Sequence, residues 1–320
     1  MDFSIKKSGT ASGKKHYSTA VIGSGPAGLT AAIYLGRSKV DTVVFEKVIP
    51  GGYIVNIEKV ENYPGFVEGI AGEKLGNLFA EHARKFGSEI KSEEITNLKL
   101  NERPFLIETS NDSFSSDSLI IASGTSNKKI GVPGEDEFIH KGISFCATCD
   151  APFTEGENVV VVGAGNSGVQ EALYISNFAK HITILEYLDN PSCEPILLDR
   201  INKNDKIDLL TSHTVEAFKG NKFLETVDIK NVKSGETKTL EAKGAFIYVG
   251  EVPNNELVKG KLKLDEKGYI LTDEHLKTSI KGIFAAGNIR DTIFRQIATA
   301  VGDGAIAGHE AYKFLEKEKK

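Results

Sequence analysis

The stretch VIGSGPAG, residues 21–28, decides the fold of this chain. An apolar run leads into its three glycines, an Ala- and Leu-rich stretch follows, and a second apolar run, residues 42–45, ends in Glu46. This order predicts a strand, a helix and a second strand. The glycines permit a tight turn and let the backbone approach a pyrophosphate at the helix N-terminus. Glu46 follows the first glycine at about the 20-residue spacing of an acid that binds adenosine ribose hydroxyls.

The same pattern occurs a second time in VGAGNSG, residues 162–168. A further apolar run, residues 182–185, follows it and ends in Glu186, again at the expected spacing. A lone glycine motif is weak, but each copy here has a strand before it, a helix after it and an acid at the right distance. The chain is therefore predicted to be an α/β protein with two Rossmann-like, doubly wound nucleotide-binding domains.

Composition excludes several classes of partner. A net charge of -5 argues against a nucleic-acid surface, and no apolar run reaches the roughly 18 residues of a membrane helix. Residues 1–15 are polar and lack the apolar core of a secretory signal, which predicts a flexible N-terminal arm. Three cysteines without such a signal indicate a cytoplasmic protein, in which a close Cys pair is more often catalytic or metal-binding than structural.

The motif CATCD contains two of the three cysteines, Cys146 and Cys149, followed by Asp150. It could be half of a metal site, a structural disulfide or a working redox pair. Zinc needs four ligands and Cys193 stands alone, so no metal site is predicted. A disulfide across so short a loop restrains little chain entropy. A redox dithiol fits best, because CxxC motifs at a helix start favour the thiolate.

Taken together, the motifs resemble those of the low-molecular-weight thioredoxin reductases. The matching stretches are GSGPAG (23–28), VENYPGF (60–66), LIIASGT (119–125), CATCD (146–150), GAGNSG (163–168) and residues 282–308. The resemblance implies a homodimeric flavoenzyme in which FAD reduces the cysteine pair, which then reduces a thioredoxin-like protein. It also implies a discontinuous FAD-binding domain, residues 16–127 and 252–320. A disulfide and nicotinamide-type domain, residues 128–251, is inserted between the two parts.

The resemblance also assigns residues to the flavin. The residues implied to bind FAD are Gly23, Ser24, Gly25, Pro26, Ala27, Glu46, Gly51, Gly52, Tyr53, Asn62, Gly124, Gly287, Asn288, Arg295, Gln296 and Ile297. Tyr53 replaces the Gln usual in the family, and either stacks near the cofactor or is an ordinary surface tyrosine. Asn288 replaces the usual Asp, and its amide can still hydrogen-bond a hydroxyl.

The resemblance gives the two cysteines different roles. Cys149 would accept electrons from the flavin, and Cys146 would attack the partner disulfide. Asp150 would be the general acid–base, or it would cap a helix, and both roles can hold. Cys193 is predicted to be an ordinary thiol. The alternative from another class is a non-catalytic flavin-binding redox sensor.

The second glycine loop departs from the NADPH-dependent members of the family. Its candidate nucleotide-binding residues are Gly163, Gly165, Asn166, Ser167, Gly168 and Glu186. Where those members carry three arginines for the 2′-phosphate, this chain has Tyr187, Leu188 and Ser192. The pattern therefore argues against NADPH.

Two kinds of electron donor are left. Glu186 could bind the unphosphorylated ribose of NADH, or another carrier could reduce the flavin. The resemblance to archaeal and anaerobic members slightly favours reduced ferredoxin, flavin or deazaflavin. A ferredoxin would need a basic patch, for which Lys128, Lys129, Lys141 and the N-terminal lysines are candidates.

Overall fold

The structure is a computed structural model that describes residues 15–319, so the predicted N-terminal arm, residues 1–15, lies outside the described residues except for Lys15. The strands are β1 (His16–Ile22), β2 (Thr42–Glu46), β3 (Glu89–Ser92), β4 (Ile95–Lys99), β5 (Phe105–Thr109), β6 (Ser113–Ile121), β7 (Thr125–Asn127), β8 (Ile143–Ser144), β9 (Asn158–Val162), β10 (His181–Leu185), β11 (Ile207–Leu210), β12 (His213–Gly220), β13 (Leu224–Asn231), β14 (Thr237–Glu241), β15 (Gly244–Ile247), β16 (Glu251–Pro253) and β17 (Ile283–Ala285). The α-helices are α1 (Pro26–Arg37), α2 (Gly72–Lys85), α3 (Glu135–Phe138), α4 (Ala147–Asp150), α5 (Asn166–Ile175), α6 (Pro195–Asn202) and α7 (Ile297–Glu318).

The chain forms two compact units. The first comprises the chain up to Gly52, Leu75–Gly124, and the chain from Pro253 onward. The second comprises Tyr53–Lys74 and Thr125–Val252, and so interrupts the first twice in sequence. The segment Tyr53–Lys74 falls inside the predicted FAD-binding domain by sequence, yet it packs with the second unit. The functional domain boundaries stay a prediction.

The first unit is built on a seven-stranded sheet in the order β3-β2-β1-β6-β5-β4, with β17 also paired to β6. Strand β1 pairs in parallel with β2 and β6 and is buried from Thr19 to Ile22, as a strand covered on both faces should be. Val21 packs in a cluster with α1, α2 and α7, whereas Ala20 and Ile22 pack in the cluster on the opposite face. The uniformly apolar run before the first glycine therefore reflects helices on one face and further chain on the other.

Helices α1 and α7 pack closely because glycines line their contact. A Cβ atom on Gly304 would lie 2.2 Å from the Ala27 carbonyl oxygen, and one on Gly308 would lie 2.8 Å from that of Ala31. Neither distance is compatible with a side chain. The glycines of α7 therefore set the separation of α7 from the helix that follows the first glycine loop.

The second unit contains a parallel sheet in the order β11-β10-β9-β15-β8, beside a three-stranded antiparallel sheet of β12, β13 and β14. Strands β7 and β16 form a separate pair. Residues of β9 and β10 pack against α5 and α6 in one apolar cluster. The first sheet is mixed, since β4 and β5 run antiparallel to their neighbours, and the second is parallel. Parallel strands in both sheets, each set with a helix directly after a glycine loop, confirm the predicted α/β class. In the described part of the chain, no helix has the length and apolarity needed to span a bilayer.

We predict opposite effects for two alanine substitutions in α7. Gly304→Ala should lower the free energy of unfolding by about 1–3 kcal/mol, because the new methyl group collides with backbone of α1. Gly302→Ala is the matched control, since a Cβ there meets nothing within 4 Å. It should be neutral or stabilise by up to about 1 kcal/mol, as alanine is the better helix former. Urea unfolding followed by circular dichroism measures both, and equal stabilities would contradict the packing described.

Candidate active site

The first glycine loop leaves space where a phosphate group would lie. Gly23 has φ +101°, and a Cβ on it would lie 2.4 Å from the Ala122 carbonyl oxygen. A Cβ on Gly28 would lie 2.0 Å from the Gly23 oxygen, which closes the turn onto the helix. In contrast, no atom lies within 4 Å of the Cβ position of Gly25. The loop is thus packed from behind and open at Gly25, beside the free N–H groups of α1.

The acid at the end of β2 is fixed by backbone of this loop. One oxygen of Glu46 accepts hydrogen bonds from Ser24 N at 3.1 Å and Ser24 Oγ at 2.7 Å, and the other accepts from Val48 N at 3.0 Å. Gly51 N donates to Ser24 O at 2.9 Å. A Cβ on Gly52 would lie 2.8 Å from Gly25 Cα. The carboxylate and the paired glycines therefore pack against the glycine loop, where the sequence predicts FAD.

Of the C-terminal residues predicted to bind the flavin, Gly287 approaches the same helix start. Gly287 has φ +78°, and a Cβ on it would lie 2.9 Å from Ala27 Cβ. Gln296 is the N-cap of α7, where it forms a capping box with Thr299. Gly124 accepts a hydrogen bond from Asn254 N at 3.0 Å. The structure brings Gly287 against the first loop. Tyr53 and Asn62, by contrast, belong to the second unit.

Arg295 provides an independent test of whether these residues fit FAD. Its guanidinium carbon lies 4.0 Å from the centre of the Tyr269 ring, and its Nε is buried without a hydrogen-bond partner among the described residues. A buried donor without an acceptor is uncommon in a folded protein and indicates a missing partner. The open space at Gly25 and this unpartnered donor are features that an anionic dinucleotide such as FAD would need from the first unit.

The cysteine pair forms a disulfide on a short helix of the second unit. Cys146 and Cys149 are bonded, with their Cα atoms 5.4 Å apart, and Cys146 is the N-cap of α4. Cys149 N donates to Cys146 Sγ at 3.3 Å. This N–H would stabilise a thiolate on Cys146 after reduction. Asp150 follows directly, and its side chain does not cap the short helix that begins after it. The alternative role of Asp150 as a helix cap is therefore not seen at the short helix Ala151–Thr154.

Two hydroxyl side chains that the sequence analysis missed hold this loop. Ser144 Oγ accepts from Cys146 N at 3.0 Å and donates to Cys146 O at 3.2 Å. Thr148 Oγ1 donates to Asn56 O and lies 3.5 Å from Cys146 Sγ. Both hold the short segment that carries Cys146. Serine and threonine are too common near turns for their positions alone to signal this role.

Two titratable groups of the unit that contains the disulfide are partly buried. Burial raises the pKa of Glu171 on α5 to about 7, and the nearby charge of Glu58 adds to the effect. Burial, followed by the Glu171 charge, raises the pKa of Tyr248. The Tyr248 hydroxyl lies near the Ala147 amide at the start of α4, without a well-aligned hydrogen-bond partner among the described residues. Glu171 can therefore exchange a proton near neutral pH.

Tyr53 forms a hydrogen bond rather than a stacked contact within its own unit. Its hydroxyl donates to Asn127 Oδ1 at 3.4 Å, and Asn127 Nδ2 donates to Phe145 O at 3.1 Å. Burial is the main cause that raises the pKa of Tyr53. The ring is 40% exposed. Its two interpretations, a contact to the cofactor or an ordinary surface position, both stay open.

The second glycine loop repeats the hydrogen bonds of the first. One oxygen of Glu186 accepts from Ala164 N at 2.8 Å and the other accepts from Leu188 N at 3.0 Å. Ser192 N donates to Ala164 O at 3.1 Å, as Gly51 N does to Ser24 O. A Cβ on Gly163, with φ +105°, would lie 2.2 Å from the backbone carbonyl oxygen of Tyr248. Backbone and acid are therefore arranged as in a dinucleotide site.

The side chains around the second loop differ from those around the first. Ser192 Oγ lies 3.6 Å from the Cβ position of Gly165, whereas the equivalent position at Gly25 is open. Asn166 uses its side-chain oxygen to accept a hydrogen bond from Glu194 N at 2.7 Å. Tyr187 and Leu188 are exposed, and residues 182–199 include no Lys or Arg. No cation of this segment can therefore meet a 2′-phosphate.

No group of three or more metal-ligating side chains occurs within residues 15–319. Cys193 is a free, half-buried thiol, and burial is the largest cause that raises its pKa. A raised pKa disfavours the thiolate, so Cys193 lacks the activation that Cys146 receives.

Comparison with known proteins agrees with this geometry. The family model described as pyridine nucleotide-disulphide oxidoreductase matches residues 17–304. A thioredoxin reductase of Bacillus subtilis is 40% identical over 305 residues, which cover 95% of this chain and 96% of the relative. The crystal structure of Lactococcus lactis thioredoxin reductase has a TM-score of 0.92 at 40% identity, covering 94% of this chain and 99% of that one.

A more distant structural relative is named for a ferredoxin. The ferredoxin-flavin thioredoxin reductase of Clostridium acetobutylicum is 29% identical, with a TM-score of 0.52 and coverage of 94% of this chain and 99% of that one. These matches confirm the resemblance inferred from the sequence motifs. The chain belongs to the pyridine nucleotide-disulphide oxidoreductases and, among them, to the thioredoxin reductase family of FAD-dependent disulfide oxidoreductases.

Proposed function

We propose that this protein reduces a thioredoxin-like protein through the Cys146–Cys149 pair and receives its electrons from a donor other than NADPH. The observation that carries the proposal is the disulfide at the start of α4, with Cys149 N donating to Cys146 Sγ. FAD, when bound, supplies the electron pair that reduces this disulfide to a dithiol. Gly23, Gly25, Glu46 and Gly287 are the residues that would hold its adenosine and pyrophosphate end, and Arg295 would meet the pyrimidine end of its flavin.

The dithiol then performs two exchange steps. The Cys146 thiolate attacks one sulfur of the partner disulfide, whose S–S bond breaks as a mixed disulfide forms. Cys149, as a thiolate, attacks Cys146 Sγ, releases the partner as a dithiol and restores the enzyme disulfide. Asp150 would take the proton from each attacking thiol and return it to the departing sulfur. Two electrons and two protons thus pass to the partner.

Family membership supports our proposals for the partner and the assembly. The relatives are named thioredoxin reductases, which supports a thioredoxin-like substrate. We propose a homodimer, as is typical of the family. Among the proposed ferredoxin-binding lysines, Lys129 pairs with Asp136 at 2.6 Å, so its charge is partly neutralised.

The second glycine loop supports a donor other than NADPH. The Glu186 carboxylate is held by backbone N–H groups where a 2′-phosphate would lie, and a phosphate beside it would be repelled. Ser192 also partly fills the space beside Gly165. A ferredoxin-flavin enzyme among the relatives makes a carrier such as ferredoxin, flavin or deazaflavin the leading candidate.

NADH is the second candidate donor. The observation that favours it is the repeated hydrogen-bond pattern, in which Glu186 is held at its loop as Glu46 is held at the FAD loop. A carboxylate in this position can accept hydrogen bonds from both hydroxyls of an unphosphorylated ribose.

We predict that the two cysteines can be separated by substitution. Cys149→Ser should keep its flavin, lose thioredoxin reduction, and accumulate a mixed disulfide with thioredoxin through Cys146 when its thiol is free. Cys146→Ser should keep its flavin and form no such adduct. Cys193→Ser is the control and should match the wild type, since its thiol is not activated. Non-reducing gels and a coupled assay measure these outcomes. Full thioredoxin reduction by Cys149→Ser would show that the assigned route is wrong.

We predict that the oxidised protein discriminates among electron donors. Under anaerobic conditions, reduced ferredoxin should bleach the flavin absorbance within the dead time of manual mixing, and NADPH should not. If NADH bleaches it, Glu186→Gln should slow that reaction, because the carboxylate no longer accepts from the ribose hydroxyls. Rapid bleaching by NADPH would contradict the argument from Glu186. A flavin that bleaches while no thioredoxin is reduced would instead indicate a non-catalytic redox sensor.

A further inference from the structure

The segment between β17 and α7 contains two arginines, of which Arg290 pairs with a carboxylate and Arg295 packs on an aromatic ring. Arg290 forms a bidentate ion pair with Asp303 of α7, from Nε at 2.7 Å and from Nη2 at 3.0 Å. The same carboxylate accepts from Gly287 N at 3.0 Å. Both side chains of the pair are largely buried. Arg290 therefore has its charge neutralised and anchors the turn that carries Gly287 and Asn288.

Arg295 forms no ion pair with an acid of the described chain. Its guanidinium carbon instead lies 4.0 Å from the centre of the Tyr269 ring, which is cation–π geometry. Its Nε is buried and has no acceptor within residues 15–319. Leaving such a buried donor unsatisfied is unfavourable, so an acceptor from outside the chain is expected. The Arg295 guanidinium is thus held against the Tyr269 ring, with its buried Nε still without an acceptor among the described residues.

Tyr269 is itself fixed by the segment that holds the Arg290 turn. The residue is 8% exposed, and its N–H donates to Asp265 Oδ1 at 2.8 Å. The next residue, Ile270, donates from N to Ile289 O at 3.0 Å and accepts from Asp291 N at 3.0 Å. Backbone hydrogen bonds of Ile270 therefore join the segment that carries the Tyr269 ring to the turn that precedes Arg295. A flexible arginine packed on such a ring loses fewer rotamers when it meets a ligand.

We propose that Tyr269 is a positioning residue: its ring holds the Arg295 guanidinium so that the free Nε meets an acceptor at the pyrimidine end of bound FAD and favours the reduced flavin. The inference rests on the proposed flavin contact of Arg295. Negative charge develops at that end of the flavin on reduction, so a fixed, unneutralised cation there stabilises the reduced form more than the oxidised form. Arg290 cannot serve in its place because Asp303 already neutralises it.

The test compares the flavin reduction equilibrium of Tyr269→Leu with that of Tyr269→Phe. The Phe variant keeps the aromatic face and should match the wild type. The Leu variant should shift the equilibrium between oxidised and reduced bound flavin toward the oxidised form by roughly two- to thirtyfold, which is the range expected of a cation–π contact. Anaerobic titration against a redox dye measures the ratio. It needs neither a thioredoxin nor a natural donor, so it is independent of those parts of the proposed function.

A double-mutant cycle separates positioning from a general structural effect. In an Arg295→Gln background, Tyr269→Leu should no longer shift the equilibrium, because the cation that the ring holds is gone. If Tyr269→Leu does not retain FAD, Tyr269→Met replaces it in the same cycle. A Leu or Met variant with the wild-type ratio would overturn the proposal. So would a shift of equal size in the Arg295→Gln background.

Discussion

Each nucleotide loop depends on a glycine packed against a carbonyl oxygen at the end of another strand. A Cβ on Gly23 would lie 2.4 Å from the Ala122 oxygen, and one on Gly163 would lie 2.2 Å from that of Tyr248. The third glycine of each loop, Gly28 or Gly168, would place a Cβ 2.0 Å from the oxygen of the first. These approaches bend the chain sharply from strand into helix. They leave the N–H groups at the helix start free to meet an anion.

The two units share the same loop backbone, but the side chains around it differ. Both acids are held by backbone N–H groups of their own loops. In the first unit the neighbouring loop supplies glycines, and the space at Gly25 stays open. In the second unit it supplies Ser192, whose hydroxyl lies beside Gly165. Retained backbone geometry with altered side chains is the physical basis for proposing a donor other than NADPH.

The chemistry of the cysteine pair is set over a very short stretch of chain. Cys146 is the N-cap of a four-residue helix, and the backbone N–H of Cys149 donates a hydrogen bond to Cys146 Sγ. Ser144 fixes the backbone of Cys146 from the other side. A thiolate on Cys146 would thus be stabilised by this N–H group. This asymmetry supports the successive roles proposed for the two cysteines in disulfide exchange.

Sequence alone determined the α/β class, the two glycine loops with Glu46 and Glu186, and the redox character of Cys146 and Cys149. These features are local, because a turn, a helix start and a dithiol each need particular residues at short spacing. Tertiary structure alone decided that Asp303 neutralises Arg290, that Tyr269 lies under Arg295, and that Tyr53–Lys74 packs with the second unit. Those contacts join residues far apart in the chain, or bring an ordinary residue type to a special neighbour. The hydrophobic periodicity and motif spacing of the sequence do not predict these contacts, because only the packed fold brings the partners together.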